Sequence, residues 1–360
     1  MSEKYILGNC IEKMAELKTA SIDMVFVDPP YYLQLKKTLT RPDHSEVKGV
    51  SHEWDKFENF ESYDNFTTSW LTEVKRVLKK DGTLWVIGSY HNIYRVGTYM
   101  QNLGFWILND IIWNKTNPMP NFKGNRFTNA HETILWAAQN KNSKYNFNYQ
   151  AMKTMNDDIQ MRSDWHIPIC SGKERIKNNG KTLHPTQKPE ALLHRIILSS
   201  TKNSDTILDP FLGTGTTGVV SKRLNRNFIG IEQNTTYLQF AKKRISNTKI
   251  IDKKNTTILK NMKKESKIPF GSLVERGYFK IGQKLHDINK NFEATVRADG
   301  SLIEQNGLEG SIHKVGAKLQ GNDACNGWQF WHVEKKGKLI SIDEYRNKAR
   351  NIINNSNQKA

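Results

Sequence analysis

The stretch Met24-Val25-Phe26-Val27-Asp28-Pro29-Pro30-Tyr31 decides how the chain is read. Four apolar residues in a row predict a short buried strand, and the two prolines end it. Proline fixes φ and lacks an N–H, so the chain past Asp28 is stiff and its carbonyls stay outside any ladder. A carboxylate, free carbonyls and an aromatic ring therefore gather at the carboxyl end of a sheet strand, where open α/β sheets place their ligands. Such a group suits an exocyclic amine on a planar base, with acceptors for the N–H groups and a ring to stack on. Taken alone, the stretch is also compatible with a strand ending in an ordinary Pro-Pro turn. Its surroundings have to decide.

Upstream, 5–7 reads as a strand, Gly8-Asn9-Cys10 as a turn and 11–17 as a helix. With the strand over 22–27 these make a β-α-β unit of parallel strands. Downstream, 32–56 is polar and charge-rich with little periodicity, a length usual for functional or disordered loops. A helix over 63–79 carries Phe66, Trp70, Val74, Val77 and Leu78 on one face. Strands over 83–88, 106–113 and 132–138 follow, with a helix over 92–103. After a polar, basic and aromatic interval over 140–187 come a helix over 189–199 and a strand over 206–208. Asp209-Pro210-Phe211-Leu212-Gly213-Thr214-Gly215-Thr216-Thr217-Gly218 then turns into a helix over 219–224, and a strand over 228–231 ends on Glu232. Strands alternating with helices predict an α/β fold with a doubly wound, mostly parallel sheet.

The expected organisation is a catalytic domain over 1–250, a basic linker over 251–267 and a small C-terminal module, mixed or β-containing, over 268–360. The 360 residues are 37% hydrophobic and 10% aromatic, enough for a real core. With 54 basic residues against 36 acidic ones, the net charge of +18 predicts a polyanionic partner, nucleic acid before membrane. No signal peptide opens the chain and no apolar run approaches the ~18 residues of a membrane span, so a cytoplasmic protein is expected. Cys10, Cys170 and Cys325 are far apart and lack metal spacing, which predicts reduced thiols and no metal.

Strand, Gly-x-Gly turn, helix and a second strand ending in an acid form a nucleotide-cofactor arrangement. The glycines let backbone approach a ligand, and Glu232 can accept both hydroxyls of a ribose. No phosphate-binding lysine accompanies the turn. On its own this motif also fits a dehydrogenase.

Asp28-Pro29-Pro30-Tyr31 resembles the motif of amino-methylating DNA methyltransferases, and beside it the glycine turn fits S-adenosylmethionine, whose ribose and adenine resemble half a dinucleotide. The cofactor strand follows the catalytic strand in the chain, so the sheet resembles a circularly permuted, Rossmann-like methyltransferase sheet of the beta class. The resemblance extends further. Gly88-Ser89-Tyr90-His91-Asn92-Ile93-Tyr94-Arg95-Val96-Gly97, Asn117-Pro118-Met119-Pro120-Asn121-Phe122, Asn129-Ala130-His131-Glu132-Thr133, Gln160-Met161-Arg162-Ser163-Asp164-Trp165, His184-Pro185-Thr186-Gln187-Lys188-Pro189, Ser311-Ile312-His313-Lys314 and Asn326-Gly327-Trp328 are similar to runs in the HinfI and cell-cycle-regulated (CcrM) family of N6-adenine methyltransferases.

That resemblance implies N6-adenine methylation of double-stranded DNA at GANTC by a bacterial homodimer. It implies catalysis by Asp28, Pro29, Pro30 and Tyr31, with Tyr31 stacking on a flipped base. Asp28, Asp209, Phe211, Gly213, Gly215, Thr216 and Glu232 would hold the cofactor, with His184, Thr186 and Lys188 near its methionine end. Asn9 would lie near the cofactor adenine; relatives usually carry Asp there, and an Asn oxygen accepts without charge. Target recognition is expected over 115–187, where Lys123, Arg126, Arg162 and Arg175 can meet phosphates or guanine. Trp165, Phe122, Phe127 and Tyr145 stand among them as candidates to stack on or wedge into opened bases. In the C-terminal module Ser311, His313, Lys314, Asn326 and Trp328 are the expected DNA contacts. An N4-cytosine enzyme shares the fold but commonly has Ser at the position of Asp28. A catalytically inactive DNA-binding regulator would need neither Asp28 nor Glu232.

Overall fold

A computed structural model describes residues 2–33, 38–40, 46–48, 55–121, 124–252, 254–259 and 268–356. Phe122, Lys123 and much of the expected linker over 251–267 lie outside the described residues. The chain divides into two compact units, Met1–Asn261 and Met262–Ala360.

The first unit runs β1 (Glu3–Leu7), α1 (Cys10–Ala15), β2 (Ile22–Val27), a hairpin of β3 (Thr38–Thr40) and β4 (Glu46–Lys48), α2 (Phe60–Val77), β5 (Leu78–Gly88), α3 (Ile93–Asn102), β6 (Trp106–Lys115) and β7 (His131–Ala138). It continues through α4 (Tyr149–Thr154), β8 (Asp164–Ile167), a short hairpin of β9 (Lys177–Asn178) and β10 (Lys181–Thr182), α5 (Glu190–Ser200), β11 (Thr206–Asp209), α6 (Thr216–Arg223), β12 (Asn227–Glu232) and α7 (Thr235–Ser246). Eight strands form one sheet in the order β1-β12-β11-β2-β5-β7-β6-β8. From β1 to β5 all neighbours are parallel; β7 runs antiparallel to both β5 and β6, and β8 is parallel to β6. The glycine-turn strand β11 thus comes late in the chain and yet lies beside β2, which is the permuted arrangement expected above.

Alternation along β2 shows why the strand is apolar throughout. Met24 and Phe26 join the core under α4 to α7, while Val25 and Val27 join the core under α1 to α3. Both faces are covered, as a parallel sheet requires. Across β5 and β7, Trp85 pairs with Trp136 in register and their rings stack at 5.1 Å. Helix α2 stops at Val77, short of the expected 79, because Leu78 pairs with Ile22 and Lys79 reaches Asp23 at 2.7 Å. Strand pairing there outweighs the helix preference of Leu-Lys-Lys. The loop expected over 32–56 contains the β3–β4 hairpin. Helix α7, which sequence patterning did not reveal, is capped by Asn234 accepting from the Tyr237 N–H and packs Ala241 and Ile245 against the glycine-turn helix.

The second unit contains α8 (Phe270–Glu275), β13 (Lys284–His286), β14 (Glu293–Val296), β15 (Leu302–Ile303), β16 (Glu309–Gly310), α9 (Ile312–Leu319), α10 (Gly327–Phe330), β17 (His332–Lys335), β18 (Lys338–Ser341) and α11 (Ile342–Ser356). Its six strands form an antiparallel sheet in the order β16-β15-β14-β13-β17-β18. Three expected DNA contacts also have structural work here. Trp328 is 6% exposed, set edge-on against Phe270 at 6.0 Å with the Arg346 guanidinium 4.2 Å from its ring. A side chain of that size in a small core cannot also serve as a wedge. Ser311 caps α9 by accepting from the Lys314 N–H, and His313 Nδ1 accepts from the Gly327 N–H at 3.0 Å, joining α9 to α10. Lys314 and Asn326 remain exposed.

Among the described glycines of the first unit the closest approach is at Gly218 on α6, where an added Cβ would lie 2.3 Å from Ile245 Cδ1 and 2.8 Å from Phe228 Cε1. Gly218→Ala is expected to destabilise the protein by about 1–3 kcal/mol through overpacking. Urea denaturation would check this, and an unchanged midpoint would contradict the packing described.

Candidate active site

Strands β2 and β11 are adjacent and parallel, so the turns at their carboxyl ends open onto the same cavity, of about 570 Å³. Asp28, Pro29, Pro30 and Tyr31 form part of its wall, and the turn beginning at Asp209 forms another part.

Asp28 is the centre of a buried charge network. Lys188 Nζ lies 2.8 Å from Asp28 Oδ1, 2.7 Å from Oδ2 and 3.9 Å from Glu132 Oε2. The Tyr31 hydroxyl is within hydrogen-bond distance of both acids, 3.0 Å from Asp28 Oδ1 and 3.1 Å from Glu132 Oε2. Glu132 Oε1 holds Lys115 Nζ at 2.8 Å. Two carboxylates thus face two ammonium groups, and burial of the set creates no net charge. Burial raises the Asp28 carboxyl against the pull of Lys188. Burial also raises Glu132, but Lys188 and Lys115 outweigh it and leave that carboxyl below its ordinary value. Burial depresses Lys188, and Asp28 with Glu132 more than reverses it. Glu132 was not assigned a role from sequence. Its signal, an acid in the β7 strand end, means nothing until Lys188, Tyr31 and Lys115 are seen around it.

The turn after Asp28 is anchored from behind. The Tyr63 hydroxyl donates to the Pro30 carbonyl at 2.9 Å, so that carbonyl is not free as the sequence implied. Tyr32 adopts φ 57°, and the Tyr32 and Leu33 N–H groups both donate to Asp55, at 2.7 and 2.8 Å. Pro29 lines the cavity beside Asp28.

On the other side, Glu232 Oε2 accepts from the Gly213 N–H at 2.9 Å and Oε1 from the Asn234 N–H at 2.8 Å. Each oxygen keeps lone-pair capacity for a hydroxyl. Gly213 has φ 53°, and a Cβ there would sit 3.6 Å from His184 Nε2 on the cavity wall. Phe211, Phe66 and Phe57 supply an apolar surface. Thr216 donates to the Lys188 carbonyl at 3.2 Å, and Thr186 Oγ1 lies 3.3 Å from His184 Nδ1. Asn9 caps α1 through Ile11 while lining the cavity. Asp209 accepts from the Phe211 N–H at 3.0 Å, and burial pushes its carboxyl up to about 7.

Of the expected cofactor contacts only Gly215 does not line the cavity. Its φ of 81° and the 2.9 Å approach of an added Cβ to Ala241 show that glycine is required there by the turn and by α7. Two expected DNA contacts are corrected as well. Trp165 is 4% exposed in the sheet core, donating from Nε1 to the Arg162 carbonyl at 2.8 Å. Arg175 braces the segment before Lys188, donating to the Cys170 and Pro185 carbonyls at 3.3 and 2.6 Å. Arg162, paired with Asp164 at 2.8 Å, and Arg126, donating to the Tyr90 hydroxyl at 2.9 Å, are exposed, and Phe127 is 98% exposed.

Fold and cavity together define an α/β enzyme whose glycine turn and Asp28–Tyr31 turn line one cavity. Residues 22–243 match the DNA methylase family of N6 and N4 methyltransferases, and the chain belongs to that family. Residues 252–354 match the Restriction Enzyme Adenine Methylase Associated family. The chain is 48% identical over 340 residues to the Type II methyltransferase M.HinfI of Haemophilus influenzae, covering 94% of each. It is 48% identical over 234 residues to the Type II methyltransferase M2.LlaDCHI of Lactococcus lactis subsp. cremoris, covering 65% of this chain and 85% of that one. The crystal structure of the M1.HpyAVI–SAM complex matches with a TM-score of 0.50 at 30% identity, over 68% of this chain and 98% of that one. The cytosine-N4-specific PvuII DNA methyltransferase matches with a TM-score of 0.53 at 20% identity, over 71% and 90%, a likeness of fold alone.

S-Adenosylmethionine is the methyl donor of this family. The residues present fit it: an acid with spare lone pairs for ribose hydroxyls, a glycine where a side chain would project into the cavity, and apolar rings for a base. No helix among the described residues is long and apolar enough to cross a membrane. No group of three or more His, Cys, Asp or Glu side chains among them could hold a metal ion.

The raised Asp209 carboxyl sets a pH dependence. The folded protein holds this proton more tightly than the unfolded chain, so the corresponding stability is full in acid and is lost as pH rises to about 7. Asp209→Asn cannot ionise; its melting temperature relative to the unsubstituted protein is expected to climb between about pH 4 and pH 7 and then level off. Thermal melts across that range would show it, and a constant difference would contradict the burial of an ionisable Asp209.

Proposed function

We propose that this chain transfers a methyl group to N6 of a flipped adenine in double-stranded DNA, with GANTC as the target. The observation that carries the reading is that Asp28 and Pro29 line the same cavity as Glu232. S-Adenosylmethionine supplies a methyl group made electrophilic by its sulfonium. The adenine N6 lone pair is delocalised into the ring and is a poor nucleophile. Asp28 and the Pro29 carbonyl accept from the two N–H groups, which favours a more tetrahedral nitrogen with its lone pair directed at the methyl carbon. Because these acceptors are fixed and largely shielded from water, they stabilise charge developing on nitrogen without having to reorganise. Asp28 serves first as acceptor, at the site where the proton on the methylated nitrogen becomes acidic.

A base inside a duplex cannot reach such a cavity, so it must be flipped, and Tyr31 offers the ring beside it. Its hydroxyl, tied to Asp28 and Glu132, fixes the orientation of that ring. Asp28, in place of the Ser common in N4-cytosine enzymes, supports adenine, and so does the kind of family that the C-terminal unit matches. GANTC rests on the resemblance of the quoted runs. Arg126, Arg162 and Lys123 are assigned to the duplex from the first unit, and Lys314 and Asn326 from the second. A second copy of the chain is assigned to the opposite strand.

Transfer of a tritiated methyl group to short duplexes tests this reading. Incorporation is expected with GANTC and is expected to vanish when the target adenines are replaced. Asp28→Ala is expected to lower turnover at least about 100-fold while cofactor and DNA affinities stay within a few-fold, since the acceptor acts mainly in the transition state. A variant retaining a tenth of normal turnover would contradict the role given to Asp28.

A further inference from the structure

The acceptor that an incoming amine needs is already covered. Both oxygens of Asp28 lie within hydrogen-bond reach of Lys188 Nζ, at 2.8 and 2.7 Å, and Oδ1 also meets the Tyr31 hydroxyl at 3.0 Å. A carboxylate held this way presents little to a new N–H donor. Lys188 has a second anion close by, Glu132 Oε2 at 3.9 Å, while the opposite oxygen of Glu132 is fixed on Lys115 at 2.8 Å. The backbone of Lys188 is itself held, by Thr216 at its carbonyl, and Arg175 braces the preceding segment at the Pro185 carbonyl.

We propose that Lys188 is a displaceable plug: when the amine enters, its ammonium shifts from Asp28 to Glu132, uncovers Asp28 as acceptor, and returns when the methylated base leaves. The inference rests on the reading that an exocyclic amine is methylated here. The shift is small, from 3.9 Å to an ion-pair hydrogen bond of about 2.8 Å. The cluster of Asp28, Glu132, Lys188 and Lys115 keeps its net charge of zero, and at Asp28 the N–H groups of the amine take over the hydrogen bonds of the ammonium, which stays beside it. Withdrawal of Lys188 into water would instead strand Asp28, which is strongly unfavourable. Glu132 is therefore a positioning residue, acting through Lys188. The charged and titratable groups facing the pair are Asp28 and Tyr31 from the turn after β2, Lys115 from β6, Glu132 from β7, Arg175 from the segment before α5 and Asp209 from β11.

Three variants and two readouts test the plug. Single-turnover methyl transfer reports the chemistry. The fluorescence of a duplex carrying 2-aminopurine at the target position, a base with no 6-amino group, reports base entry alone. Glu132→Gln removes the second anion and is expected to slow transfer at least about ten-fold while leaving the KM for DNA within about three-fold and the 2-aminopurine signal unchanged. Glu132→Gln combined with Lys115→Met removes a neutral pair, controls for charge balance in the fold, and is expected to stay slow. Lys188→Met takes the cation from beside Asp28 and is expected to move the acid limb of the transfer rate upward by about one pH unit or more. Recovery of the full rate in the double variant would overturn the proposal, because Glu132 would then serve only to balance Lys115. Equal loss of transfer and of base entry in Glu132→Gln would also overturn it, as a general distortion of the pocket. If the unsubstituted protein transfers no methyl group to any duplex, it is the amine-methylation reading that fails; if it does and Glu132→Gln matches it, only the plug fails.

Discussion

Asp28 and Lys188 meet at 2.7 Å in a place largely closed to water, and the active site is built around the consequences of that contact. Each charge has given up most of its hydration, so each depends on the other. Removing one partner from such a pair leaves an uncompensated buried charge and typically costs about 3–5 kcal/mol. The pair is completed by Glu132 and Lys115, and the four side chains come from the ends of β2, β6 and β7 and the segment before α5. Only the sheet order places those ends together. The fold is thus the device that sets a lysine against a buried carboxylate on the cavity wall.

Adjacency of β2 and β11 does the rest. Two parallel neighbours present their carboxyl ends on the same side, so the turn after Asp28 and the glycine turn share a cavity whatever their order along the chain. Glu232 accepts from the Gly213 N–H, which fixes the acid assigned to the ribose to the glycine turn. A circular permutation leaves this geometry intact, because it changes where the chain starts and not which strands are neighbours.

Much of the fold was legible from local pattern. Strand and helix alternated clearly, Asp28 and Glu232 each followed an apolar run, and those cues depend on residues a few positions apart. The reversed direction of β7 was not legible, since an apolar strand reads alike in either direction. Nor was the role of Glu132, whose partner Lys188 lies far along the chain, or the bracing role of Arg175, which depends on where Pro185 comes to rest. The tryptophans misled in a consistent way. Trp165 and Trp328 stand among basic residues and look like stacking platforms, yet each is buried beneath an arginine, Arg195 and Arg346. A large ring with a cation nearby is as well served by a protein core as by a nucleic acid, and sequence alone does not separate the two. Gly215 shows the same limit in reverse: the motif singles out the glycine, but its positive φ and the approach of α7, which sequence pattern does not display, are what require it.

The central claim is the proposal that Asp28 receives the exocyclic amine of adenine. Its most direct test is to let the full-length protein methylate a GANTC duplex, digest the product to nucleosides and identify the methylated one by mass spectrometry. The assignment predicts N6-methyladenosine in its deoxy form as the sole new nucleoside, with none formed by Asp28→Ala. Appearance of N4-methyldeoxycytidine, or of N6-methyldeoxyadenosine from the Asp28→Ala variant at a comparable rate, would contradict it.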